Sequence, residues 1–158
     1  MTKRKGFTLV ELLIVVVIIG VLTSMMSISS TSAVDSAKAS AIIGNLSTMK
    51  KAALALYIES EDVANGDTAK LLEAVADYMG TTGDIMKDET SYDVEVNGTE
   101  WYVYYHIQSN GKDTINKNVK SILSSKAKKL GLLGAAENAH FNSSNYFTSQ
   151  ACIGMKVR

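Results

Sequence analysis

Residues 7–22 read FTLVELLIVVVIIGVL, a run in which Glu11 is the single ionisable side chain. A surface helix needs one polar face, and this run has none, so it must be covered on every side by lipid or by other helices. Continued to Ile28 it spans 22 residues, about 33 Å as a helix and enough for a bilayer core. The chain contains no proline, and no glycine lies between Gly20 and Gly44, so nothing forces the helix to stop there. Lys3, Arg4 and Lys5 precede the run and place the N-terminal side in the cytoplasm and the remainder outside. A secretory signal would put small residues after its apolar core, and Thr23, Ser24 and Ser27 stand there. The helix-compatible continuation beyond them favours a retained anchor.

Glu11 is the anomaly of the run. A carboxylate inside a membrane span costs on the order of 3 kcal/mol and is functional by default. With Lys5 six residues away, one resolution is that it reaches the headgroups. Another is that a cation meets it. A cut between Gly6 and Phe7 would create an ammonium at the start of the same helix, and staggered helices would pair that amine with Glu11 of a neighbour.

The order basic leader, Gly6, Phe7, Thr8, two apolar residues, Glu11, then an apolar run resembles the class III signal of type IV prepilins and pseudopilins. The resemblance covers residues 3–22 and is specific in that order. It implies removal of residues 1–6 by a membrane aspartyl prepilin peptidase that cuts after Gly6 and N-methylates Phe7. It implies a charge-pairing role for Glu11, and Thr8 and Gly20 match positions that many pilins share in assembly. Two departures stand out. Ile28 occupies a place where the family often has a helix-kinking proline, and Cys152 alone cannot close the C-terminal disulfide loop of many Gram-negative pilins.

The remaining residues fit one ordinary domain: the whole chain is 158 residues and 17.0 kDa. Residues 23–41 are rich in Ser, Ala and Thr, the composition of an exposed helical neck. From Ile42 a stripe of Ile42, Leu46, Met49, Ala53 and Leu56 follows helical spacing. One helix from about 7 to 60 results, its second half packed on a head. Asp67 is placed to cap a second helix, Thr68–Met79, ended by Gly80. SYDVEVNGTEWYVYYHI reads as a hairpin about Asn97 and Gly98. Tyr92, Val94, Val96, Trp101, Val103, Tyr105 and Ile107 then face the helix. A two-residue turn at those positions sets Glu95 against Glu100, so a longer loop or a nearby cation is required. A third helix starts at Asp113 or Thr114 and runs to Leu130, with Ile115, Val119, Ile122 and Leu130 inward and Gly131 at its end. A loop at residues 134–145 leads to a last strand near Tyr146–Val157. The fold class is α+β and pilin-like: a long N-terminal helix on a small antiparallel sheet with two shorter helices.

Motifs for catalysis are missing. Cys152 with His106 or His140 lacks any flanking pattern, and a half-buried strand cysteine is the expected state. Asp84, Asp88 and Glu89 lack the spacing of a calcium loop, and no phosphate loop or zinc pattern occurs. No cofactor, metal or enzymatic activity is expected. Tyr102 and Tyr104 are expected to pack within the sheet. Sixteen Lys+Arg balance sixteen Asp+Glu, so nucleic acid is not indicated as a partner. The charges are nevertheless segregated. Residues 59–100 hold twelve acidic residues and two lysines, whereas residues 101–158 hold eight Lys+Arg and two acidic residues. Lys117, Lys120 and Lys128 share one face of the third helix and are candidate subunit contacts.

The resemblance implies a structural subunit of a type IV pilus, supporting adhesion, motility or surface colonisation. Its divisions are a leader (1–6), an apolar anchor and filament-core helix (7–28) and an extracellular head (29–158). Its partners are other pilins in a homo-oligomeric helical filament, the prepilin peptidase and N-methyltransferase, the pilus assembly platform and, before assembly, the cytoplasmic membrane. The alternatives are a pseudopilin of a type II secretion or competence system and a monomeric membrane-anchored binding domain.

Overall fold

The computed structural model describes residues 6–59, 68–79, 91–109, 111–137 and 139–158, with the side chains of 25–30 and 69 outside that description. The chain divides into two units, Met1–Asp35 and Ser36–Arg158. Helix α1 spans Leu9–Glu59 without interruption, the single long helix expected. Thr23 Oγ1 and Ser24 Oγ donate to the carbonyls of Ile19 and Val21, so hydroxyls that could compete with the helix instead bond back onto it.

The second unit is the head. Helix α2 (Thr68–Tyr78) precedes strands β1 (Tyr92–Asn97), β2 (Glu100–His106), β3 (Gln108–Ser109) and β4 (Lys112–Asp113). Helix α3 (Lys117–Leu130), β5 (Leu132–Ala135) and β6 (Cys152–Lys156) complete it. The main sheet is antiparallel throughout, in the order β1-β2-β6-β5, and β3 and β4 form a separate two-stranded ribbon. The α+β class read from the sequence is the one observed.

The inner face carries the main core. Ile42, Leu46, Met49 and Ala53 of α1 are buried in one cluster with Tyr92, Val94, Trp101, Val103 and Ile107, and Leu56, Val96 and Tyr105 pack at its edge. Direct contacts fix the helix to the sheet. Asn45 Nδ2 donates to Tyr92 Oη at 2.9 Å, and the Tyr57 and Trp101 rings meet edge to face at 5.2 Å. A period of 3.6 on the helix and of 2 on the strands delivers these residues to one layer.

Several boundaries differ from expectation. The β1–β2 register pairs Asn97 with Glu100 and Glu95 with Tyr102. The two turn residues are therefore Gly98 and Thr99, with Gly98 at φ 62, a conformation that costs glycine nothing. Shifting the turn by one residue separates Glu95 from Glu100. Glu100 instead accepts from Lys156 on β6 and, at 2.5 Å, from Tyr102 Oη. Lys156 and then Tyr102 hold the Glu100 carboxyl below the usual range. Burial and Glu100 push the Tyr102 phenol up to about 12.

Helix α3 begins later than expected because Asn116 is its cap, with Oδ1 accepting from Val119 N at 2.9 Å. Thr114 is committed elsewhere, its Oγ1 donating to the Ile107 carbonyl at 2.9 Å, and Asp113 belongs to β4. The buried stripe of α3 is Val119, Leu123 and Ala127. Leu130, expected inward, is 42% exposed at the last helical position before the left-handed Gly131. The segment read as a loop at 134–145 opens with the end of β5, and the last strand is shorter than expected, at Cys152–Lys156. Asp67, Gly80, Asp84, Asp88 and Glu89 lie outside the described residues.

The outer face of the sheet has its own small core. Tyr102, Leu133, Ala135 and Cys152 are buried beneath Phe141 and Ala151, and Tyr104 packs at its edge. The Phe141 ring stacks on Tyr102 at 5.6 Å and tilts against Tyr104 at 5.2 Å. Gly154 makes room for it. A Cβ there would stand 2.8 Å from the Val103 carbonyl oxygen and 2.9 Å from Phe141 Cε1 and Tyr104 Cβ. The backbone oxygen cannot step aside as a flexible side chain would. Gly154→Ala is therefore expected to destabilise the head by about 1–3 kcal/mol, the usual range for overpacking. Gly134→Ala, which meets chiefly the Gln150 side chain, should cost less. Urea unfolding of the two variants of the full chain in detergent checks the order.

Candidate functional site

The N-terminal motif occupies the start of α1. Gly6, Phe7 and Thr8 are non-helical, and the helix begins at Leu9. Thr8 is the N-cap and Glu11 stands at the third helical position. Thr8 Oγ1 accepts from Glu11 N at 3.2 Å, and Glu11 Oε2 accepts from Thr8 N at 2.7 Å and from the Thr8 hydroxyl at 2.8 Å. This is a reciprocal capping box, satisfying two donors that a helix terminus otherwise leaves bare. The one carboxylate of the apolar run thus has a partner three residues away. The Thr-x-x-Glu spacing was the available signal for it.

Downstream of this cap, the helix is apolar all round and uncovered. Phe7 is 89% exposed, and Leu9, Val10, Leu12 through Ile19, Val21 and Leu22 are exposed as well. Gly20 has open space where a Cβ would stand, so nothing within this chain requires a glycine there. Among the described residues no helix is long and apolar enough to cross a membrane. The side chains of residues 25–28, where the expected span ends, and the basic residues Lys3, Arg4 and Lys5 lie outside the described residues.

A second cluster lies on the outer face of the sheet. Cys152 and His106 are direct cross-strand partners, which brings Cys152 Sγ to 3.6 Å from His106 Nδ1. Asp93 Oδ2 accepts from Tyr104 Oη at 2.9 Å and stands 3.9 Å from His106 Nε2, too far for a hydrogen bond. Beside them a cleft of about 200 Å³ is lined by Glu95, Tyr104, His106, His140, Phe141 and Cys152, with Ala136 and Ala139. His140, 78% exposed, reaches across to Glu95 with Nδ1 2.5 Å from Oε1. No spacing rule connects His140 and Glu95, 45 positions apart, so their meeting is not legible in the residue order.

The grouping of thiol, imidazole and carboxylate looks like a nucleophilic site, but its electrostatics oppose that use. A nucleophilic cysteine needs a lowered pKa and a positive setting. Burial pushes the Cys152 thiol up to about 11, and the negative charges of Glu137, Glu95 and Asp93 reinforce the shift. Burial and then Asp93 also push the Tyr104 phenol up. Among the described residues no group of three or more His, Cys, Asp or Glu side chains is arranged to hold a metal ion.

The lysines proposed as contacts are not equivalent. Lys120 Nζ donates to Asp113 Oδ1 at 2.7 Å within the same chain, and this bond with that from Gln108 holds the Asp113 carboxyl below its usual range. Lys117 and Lys128 are exposed.

Residues 1–27 match the family model described as the prokaryotic N-terminal methylation motif. No curated protein and no solved structure matches the chain. The chain thus carries the class III signal of type IV pilins and pseudopilins, which supports a pilin-like or pseudopilin-like protein. The signal implies a membrane-anchored precursor, processing by a prepilin peptidase and assembly with other pilins in general.

With its thiol near 11, Cys152 at pH 8 is about 0.1% thiolate, against roughly a quarter for an unperturbed cysteine. Iodoacetamide is expected to label the folded chain at least a hundredfold more slowly than the denatured chain. The rate should climb about tenfold per pH unit as the thiol ionises. Labelling at a free-cysteine rate in the folded protein would show an activated thiol.

Proposed function

We propose that the chain is a type IV prepilin, cut between Gly6 and Phe7, N-methylated on Phe7 and polymerised into a pilus filament. The observation that carries this reading is the conjunction of the motif with an apolar helix exposed on all sides. Exposing a Val, Leu or Ile side chain to water costs about 1.5–3 kcal/mol, so the segment needs a continuous cover. Before assembly the cover is the cytoplasmic membrane, with residues 7–28 as anchor, the N-terminus in the cytoplasm and residues 29–158 outside. After assembly it is the same segment of neighbouring subunits. The transfer from lipid to filament brings little hydrophobic gain, so packing and polar pairing must favour it. The Phe7 amine of one subunit pairs with Glu11 of another, and Gly20 lets helices approach closely.

On this reading the prepilin peptidase, the assembly platform and other copies of the chain are the partners, and the filament serves adhesion, motility or surface colonisation. Lys117 and Lys128 add rim contacts to acidic residues of a neighbour, each worth about 0–1 kcal/mol and significant through repetition. Lys120 contributes less, since Asp113 already engages it.

Mass spectrometry of filaments sheared from the cell surface tests the proposal. The mature chain is expected to begin at N-methyl-Phe7, and Gly6→Val is expected to leave a full-length precursor in the membrane fraction. Met1 or Lys5 found on protein from assembled filaments would overturn the reading.

A further inference from the structure

The capping box bears directly on the bond that the proposed processing must break. In a regular helix each N–H donates to the carbonyl four residues earlier. Val10 N–H would then take the Gly6 carbonyl, and Glu11 N–H the Phe7 carbonyl. Here Glu11 N–H donates instead to Thr8 Oγ1, and the ladder opens with Leu12 N donating to the Thr8 carbonyl at 3.3 Å. Gly6 and Phe7 stay outside the helix. In an apolar setting a bare helix terminus is strongly unfavourable, and winding backward bonds the N–H groups of Val10 and Glu11 while moving the bare donors upstream, toward the polar residues that precede Gly6 in the sequence. Without the cap, that winding would consume the Gly6 carbonyl.

We infer that the Thr8–Glu11 capping box is a processing determinant, ending α1 just short of the Gly6–Phe7 bond and keeping its carbonyl free for the peptidase. The inference rests on the prepilin reading and extends it by giving Thr8 a role before assembly. In the hydrolysis water adds to the Gly6 carbonyl carbon and the bond to the Phe7 nitrogen breaks. The leader leaves with a Gly6 carboxylate, and Phe7 takes the proton as an ammonium. A carbonyl locked into a helical hydrogen bond, in a chain wound rather than extended, is poorly placed for that attack. Thr8 is thus a positioning residue, acting through the conformation of the two residues before it. Glu11 supplies the reverse half of the box through Thr8 N.

The test is cleavage of the full chain in membranes by a prepilin peptidase, comparing parent, Thr8→Val, Thr8→Ser and Thr8→Asn. Valine keeps the shape and removes the hydroxyl, whereas serine and asparagine keep the cap. The expected initial rate is about five-fold lower for Thr8→Val, from the usual worth of an N-cap, and close to parent for Thr8→Ser and Thr8→Asn. In micelles, backbone chemical shifts of Gly6 and Phe7 are expected to move toward helical values in Thr8→Val alone. Cleavage of Thr8→Val at the parental rate overturns the inference and leaves the prepilin reading intact. Equal slowing of all three Thr8 variants also overturns it, because the peptidase would then be reading the threonine side chain itself. A parent chain that is not cut overturns both.

Discussion

The apolar surface of α1 sets the terms for the rest of the molecule. The helix changes character along its length: residues 9–22 are apolar on every side, whereas from Ala39 onward only a stripe through Ile42, Leu46, Met49 and Ala53 is buried. A stripe can be covered by the chain's own sheet, and β1, β2 and β6 with α2 and α3 supply that cover. An all-round apolar cylinder cannot be covered by one small head. One helix therefore serves an intramolecular core at one end and requires an intermolecular or lipid cover at the other. With no proline to break it, α1 keeps both requirements on a single continuous element.

The head uses both faces of its sheet. The inner face meets α1, and the outer face carries the Phe141 seat, made possible by Gly154 and floored by Tyr102 and Tyr104. This second core explains why thiol, imidazole and carboxylates gather there in a setting that disfavours the thiolate. Cross-strand pairing brings His106 to Cys152, and the neighbouring strand adds Asp93 and Glu95. Every charge that reaches the thiol is negative, which favours its protonated form. Proximity is thus a product of sheet register, and the electrostatics decide against nucleophilic chemistry.

Periodicity made most of the fold legible in the sequence. The stripe from Ile42 to Leu56 and the alternation Tyr92 to Ile107 predict the inner core, because burial on one face leaves a regular trace in the residue order. What was not legible depended on competition between local partners. The α3 start moved to Asn116 because Thr114 is bonded to the Ile107 carbonyl, a contact between residues that no spacing rule connects. The turn moved from Asn97-Gly98 to Gly98-Thr99, since either register places a glycine in the loop and only the pairing of whole strands separates them. Strand β5, reading Leu-Leu-Gly-Ala, is too short to show an alternation. At the N-terminus the resemblance points to Gly6, Phe7 and Glu11, whereas the hydrogen bonds of Glu11 to Thr8 follow from the Thr-x-x-Glu spacing, which the charge of Glu11 overshadows.

Those hydrogen bonds change how a carboxylate can persist among leucines and valines. A charged acceptor with two donors from Thr8 is not bare, and charge-assisted hydrogen bonds are worth about twice neutral ones. Its desolvation is therefore partly offset before any partner arrives. On the proposed pathway, the cut releases an ammonium one residue upstream of Thr8, beside a carboxylate already oriented by the helix terminus. Replacing a neutral N–H by an ammonium of the same or a neighbouring subunit then strengthens a contact that exists rather than creating one. The same geometry gives the residue order its logic. On the proposed reading the cap residue directly follows the new first residue, and the glutamate stands three positions after the cap, the spacing that closes the box across one helical turn. The apolar residues between them, Leu9 and Val10, remain free to face whatever covers the helix.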